Sequence, residues 1–270
     1  MFSPWLFKGI LGFACGMAAT FPSVVFAELI TNLPQTVTHG LLVQPIIVSN
    51  DDGSSTATFL GSAAQESGIK QGINQIWAQA GIEIQWLPPN FWNSSFANMG
   101  TVPPPGTRPA SEFEPILAAG QSAGVAGALP ITSMYFINIV PGFPAPGSLF
   151  GIEGLATVGG PGSTIRVGSS LHGAVLVGDP LGQQLVAKVI AHEIGHNLGL
   201  LHIEETANLM LANPTPPQDG IYARLNGGQI TLARSSGISN GMLISVPEPS
   251  AVALLWMSCL MRFCPRRRPH

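Results

Sequence analysis

Apolar positions recur along this chain with two different spacings, and each spacing points to a type of element. Leu41 to Ser49, LLVQPIIVS, is almost continuously apolar and β-branched, and Asn50-Asp51-Asp52-Gly53 closes it, which predicts a strand and a turn. From Ala63 to Ala80, Ile69, Ile73, Ile76 and Trp77 recur at helical spacing and Gly81 supplies a stop. GIEIQWLPP then alternates Ile82, Ile84 and Trp86 with Glu83 and Gln85, a second strand. Asn90 to Pro109 reads as loop, and so does the Asn93-Ser94-Ser95 sequon inside it. Ser111 to Ala126 carries a helical pattern weakened by Gly and Pro, and Met134 to Val140, MYFINIV, a third strand. Gly154 to Gly160 and Ser163 to Ser169 read as a strand pair around Gly-Pro-Gly, with a short extra strand or loop at GAVLVG. Leu181 to Leu198 has the strongest helical pattern, with Leu185, Val189 and Ile190 on one side, and Leu225 to Ser236 is a last helix. Strand, helix, several strands, helix, helix describes one mixed α/β (α+β) domain.

The two ends break this pattern. Residues 1–27 hold one lysine, Lys8, then an apolar run, then Val25-Phe26-Ala27, which fits a signal peptide cut after Ala27. An uncleaved membrane anchor is the alternative, and Pro22 and the shortness of the run weigh against it. At the other end Val246-Pro247-Glu248-Pro249 precedes a mostly apolar stretch, Ala251 to Met261, and then Arg262, Arg266, Arg267 and Arg268. Arginines after an apolar segment stay on the cytoplasmic side. The expected organisation is therefore a leader at 1–27, a folded domain at 28–240 and a tail at 246–270.

Charge and cysteine usage narrow the function. All 14 acidic residues and 6 of the basic ones lie between Glu28 and Ser250, so this body is acidic with no basic stripe, which excludes nucleic acid as a partner. Cys15 falls in the leader, and Cys259 and Cys264 in the tail. An exported body would hold no disulfide, thiol ligand or thiol nucleophile, so any metal there rests on His, Asp or Glu.

The stretch AHEIGHNLGLLH, Ala191 to His202, supplies them. His192 and His196 stand four apart and share a helix face. His202 is six beyond His196, about 9 Å further along a continuing helix. It reaches the same ion only if the helix stops, and Gly199 lies where the stop is needed. Glu193 flanks the ion and can hold its water without ligating. Asn197 falls on the helix surface, where a change to alanine should cost little. His39 and His172 stand alone and read as ordinary core or surface histidines. HExxHxxGxxH is matched at all five fixed positions, which chance would give about 10⁻⁴ times in a chain this long.

The motif resembles the metzincin zinc endopeptidases, whose signature continues to a methionine turn. Here Met210 follows His202 by eight residues, the matrixin-like spacing. The resemblance implies a metzincin-like catalytic domain: a twisted, mostly parallel sheet, two long helices and a C-terminal helix. It implies one zinc ion held by His192, His196 and His202, an ion that lowers the pKa of a bound water towards about 7. Glu193 is then the general base that takes the proton and delivers it to the leaving amine. The substrate is a protein or peptide lying extended beside an edge strand, expected at Gly154, Leu155, Ala156 and Thr157. Two matrixin features are missing, the tyrosine-proline after the methionine (here Leu211-Ala212) and the propeptide cysteine switch.

The tail resembles the bacterial PEP-CTERM sorting signal: Pro-Glu-Pro, an apolar helix and terminal arginines. That resemblance implies an exosortase as processing partner, transient membrane attachment through the C-terminal segment, and delivery to the cell surface or extracellular matrix of a Gram-negative bacterium. A plain C-terminal anchor is the alternative for the tail. For the whole chain, the alternative to an endopeptidase is a zinc-binding surface or exopolysaccharide-matrix protein without turnover.

Overall fold

The computed structural model describes residues 29–99, 112–139, 154–166, 178–212 and 220–246. Its strands are β1 (Leu29–Ile30), β2 (His39–Ser49), β3 (Ile82–Trp86), β4 (Asn90–Asn93), β5 (Ile131–Phe136), β6 (Gly154–Ala156), β7 (Gly162–Ile165), β8 (Ile221–Tyr222) and β9 (Leu243–Ser245). The helices are α1 (Ala63–Ala78), α2 (Ser95–Met99), α3 (Phe113–Ser122), α4 (Pro180–Asn197) and α5 (Gly227–Ser239). Seven strands make one sheet in the order β3-β2-β5-β7-β6, with β4 and β9 also paired to β2. Only the β6–β7 and β2–β9 pairings in it are antiparallel. The fold is therefore mixed α/β with a mostly parallel sheet.

β2 is the centre of the sheet, and its composition explains why. Leu41, Val43 and Ile47 join the core on one face, with Ile69, Ile73, Ile76 and Trp77 of α1 and Val186, Ile190 and Ile194 of α4. Ile46 and Val48 point to the other face, where Ala97, Ile116 and Tyr135 cover them. A strand covered on both faces shows as a run of apolar residues without alternation. Pro45 has no N–H, and it falls between the stretches of β2 that pair with β3 and β4. Gln44 Nε2 fills that gap, donating to the carbonyls of Pro45 at 3.0 Å and Pro88 at 2.6 Å.

The helices begin where local chemistry sets them. Asp179 accepts from Gly182 N–H at 2.7 Å and Pro180 opens α4. Asn226 and Gln229 form a reciprocal capping box at the start of α5. Gly72 lets α1 and α4 pack closely, since a Cβ there would stand 3.0 Å from the Ala187 methyl.

Several expectations needed adjustment. The span expected as loop from Asn90 holds β4 and α2, because β2 runs on past β3 and offers Ile46 to Ser49 a parallel partner. The last helix starts and ends later than expected, at Gly227 and Ser239. The third strand begins earlier, at Ile131. The leader, residues 173–177 of the GAVLVG segment, His172 and the tail from 247 onward lie outside the described residues. Among the described residues no helix is long and apolar enough to cross a membrane.

Candidate metal centre

α4 ends in a tight left-handed turn that brings the third histidine back. The helix stops at Asn197, and Gly199 has φ +88°. Its N–H donates to His196 O at 2.8 Å, and the N–H of Leu200 donates to Gly195 O at 2.9 Å. This pair of bonds is the Schellman closure, which satisfies carbonyls that a helix end leaves free. Two residues later His202 faces back towards α4.

The three imidazoles converge on their Nε2 atoms. His202 Nε2 lies 3.1 Å from His192 Nε2 and 3.1 Å from His196 Nε2. His192 Nδ1 is 2.8 Å from the carbonyl of Leu209, and His196 Nδ1 is 2.8 Å from that of Leu200. A carbonyl accepts only, so each Nδ1 carries the proton and each Nε2 lone pair is free. One ligand atom from each of the three lies within 4.8 Å of the others. Bonds of about 2.0–2.1 Å in a tetrahedron set neighbouring nitrogens roughly 3.3 Å apart, so the donors fit a zinc ion with little movement. Burial lowers the pKa of His192 to about 3 and that of His196 below its ordinary value. Both rings therefore stay in the neutral form that binds metal. His202 is exposed, so the cluster opens to solvent on its side.

Glu193 is 3% exposed, and burial pushes its carboxyl pKa up to about 8. Its Oε2 is buried without a protein partner. Glu193 follows His192 on α4, and a buried oxygen left without a protein partner there is available to a polar ligand. Gly154, Leu155 and Ala156 form β6, an edge strand that among the described residues pairs only with β7, and Thr157 follows it. β6 passes against Glu193, for a Cβ on Gly154 would stand 2.6 Å from Glu193 Oε1.

Met210 is fully buried and packs on α4 at Gly195, where a Cβ would come 2.5 Å from its sulfur. The turn carrying it is tied down by residues that the spacing of histidines does not reveal. Asn208 and Gln229 exchange amide hydrogen bonds at 2.9 and 3.1 Å, and Met210 N–H donates to Asn208 Oδ1 at 2.8 Å. The one visible signal was Asn226-x-x-Gln229, a capping pattern whose glutamine has a second use.

Asn197 corrects an expectation. It is fully buried, and its Nδ2 donates to Gly160 O at 2.7 Å, Gly162 O at 2.8 Å and Thr157 O at 3.3 Å. The last residue of α4 thus ties the helix to the β6–β7 turn. A helical wheel cannot show this, because the strands that cover that side of α4 lie more than thirty residues earlier. His39 begins β2 and bonds Thr38 Oγ1, away from the cluster.

Residues 134–203 match the reprolysin-like family M12B of metallopeptidases. The matched span runs from β5 to the residue after His202. No curated protein is significantly similar to the chain. Among solved structures, archaemetzincin from Methanopyrus kandleri is similar at 17% identity and a TM-score of 0.46, over 73% of this chain and 95% of that one. Metalloproteinase-II from Bacteroides fragilis is similar at 14% identity and a TM-score of 0.43, over 76% of this chain and 55% of that one. Archaemetzincin from Archaeoglobus fulgidus, complexed with malonate, is similar at 14% identity and a TM-score of 0.34, over 72% and 99%. The family match and the three-histidine cluster together support a zinc-dependent peptidase.

Proposed function

We propose that the chain is an exported endopeptidase that holds one zinc ion on His192, His196 and His202 and uses Glu193 as general base. The observation that carries the reading is the convergence of three Nε2 atoms, two of them oriented by Nδ1–H bonds to carbonyls. When bound, the ion lowers the pKa of a coordinated water and polarises the scissile carbonyl. Glu193, buried with one oxygen unpartnered, takes the proton from that water and passes it to the departing amine. An extended peptide pairs with the edge of β6 that no described strand occupies, along Gly154 to Thr157, and so presents successive carbonyls to the cluster. Met210 forms the floor beneath α4, and Gly199 turns the chain so that His202 completes the ligand set.

The test is a metal analysis paired with digestion of an unfolded protein. Purified protein is expected to bind about one zinc per chain and to cut internal peptide bonds, and chelation should stop it. Glu193→Ala should keep the metal and lose about 10²–10⁴ in rate. A metal-loaded protein without turnover would replace this reading with that of a zinc-binding surface or matrix protein.

The Pro-Glu-Pro, apolar and arginine order of 246–270 supports a sorting tail, with an exosortase as processing partner and the cell surface or matrix as destination.

A further inference from the structure

Gly154 lies closer to the proposed base than any side chain could. An ideal Cβ on it would stand 2.6 Å from Glu193 Cγ, 2.6 Å from Oε1 and 2.7 Å from Cδ. Real Cβ contacts do not occur at such distances. Gly154 cannot retreat freely, because its strand is held on the far side by pairing with Ile165 of β7. The turn that follows is held by Asn197 through the carbonyls of Thr157, Gly160 and Gly162. On the other side Glu193 rises from the C-terminal part of α4, whose axis is fixed by Ile190 and Ile194 in the core. The movable part of this contact is therefore the glutamate side chain itself.

We propose that Gly154 is a positioning residue for the reaction: its bare α-carbon is the seat that holds the Glu193 carboxylate beside the three histidines. The inference rests on the reading of Glu193 as base. The same strand is the one proposed to receive the substrate, so β6 sets peptide and base in one frame. A methyl group at 154 leaves the ligands untouched and pushes the carboxylate out of line. Misplacement of a catalytic group by about 1 Å costs on the order of 10²-fold in rate.

Gly154→Ala tests this with three readouts on the full protein. Zinc content should stay at the wild-type level, KM should change little, and kcat should fall about 10²-fold. Melting temperatures of the metal-free protein read the contact independently of turnover. There Gly154→Ala should lower Tm by a few degrees when Glu193 is present and have no effect in a Glu193→Ala background. A kcat within about threefold of wild type overturns the proposal. So does an equal Tm loss in both backgrounds, or a loss of zinc that matches the loss of rate, since either would make Gly154 merely structural. If zinc-loaded wild type has no peptidase activity the proposed function fails, and the Tm pair alone then decides the seat: coupling keeps it and equal losses sink it.

Discussion

Two buried polar residues on α4 behave in opposite ways. Asn197 donates to the carbonyls of Thr157, Gly160 and Gly162; Thr157 O and Gly162 O also accept backbone N–H groups, from Gly160 and Thr157, whereas Gly160 O has Asn197 as its donor. Asn197→Ala leaves Gly160 O without that donor and cuts the tie between α4 and the β6–β7 turn, and the expected loss is about 2 kcal/mol, read by urea denaturation. Lys188, one turn before His192, is 6% exposed and makes no ion pair among the described residues. Burial lowers its pKa to about 8. Between pH 8 and 10.5 the unfolded chain binds a proton that the native chain does not, so this group makes stability rise with pH across that window. Below pH 8 it is charged in both states and the folded protein carries the full burial cost. Lys188→Met should therefore be more stable at pH 7, by up to about 3 kcal/mol, and the advantage should vanish as pH approaches 10.5. Denaturation at a series of pH values checks it, and a constant advantage would disprove the assignment. The three histidines and Glu193 were legible in the sequence because their spacing is local. The burial of Asn197, the isolation of Lys188 and the seat at Gly154 were not, because each depends on strands or helices distant along the chain.

For the elements, legibility followed length and period. α1 and α4 run for 16 and 18 residues, long enough for helical spacing to declare itself. β1 and β8 have two residues each, too few for any period, and they exist because each supplies the other's hydrogen bonds. β4 hides in a stretch rich in Asn and Pro, and only the overhanging end of β2 makes it a strand. The end of α4 was legible, because metal geometry and a glycine pointed to the same place. That end is also fragile. A Cβ at Gly199 would meet Ser236 Oγ at 2.5 Å, in addition to the strain of φ +88°. Gly199→Val should shift His202 away from its partners and weaken zinc binding by about tenfold or more, measured by competition with a chelating dye. Unchanged affinity would mean that the turn does not set His202.

On the scale of the molecule, two consequences concern what the folded unit needs. Zinc bound only by the native state should raise Tm, and chelation should lower it, with one equivalent of zinc restoring it in a thermal scan. The folded unit runs through Val246, whose N–H donates to Thr38 O at 2.9 Å. Truncation after Val246 should leave Tm unchanged and move the protein from membrane or surface fractions to the medium. Equal fractionation of the two forms would remove the case for a sorting tail.

The first and last parts of this unit are woven together. Leu29–Ile30 pairs with Ile221–Tyr222, and His39 to Leu41 with Leu243 to Ser245. Gln79 Nε2 donates to Ala223 O, and Arg234 Nε donates to Ala80 O. Such pairings join residues 144 or more positions apart, so they form late and slowly. A chain is delivered with β1 first and β9 last. While residues 220–245 are still unmade, Gly199 has no α5 to lie against and Asn208 has no Gln229. The growing chain then carries its histidines without a finished site. The support of the histidine cluster thus comes from the far end of the chain, at residues 220–245, and a chain cut short of them would hold the motif without its brace.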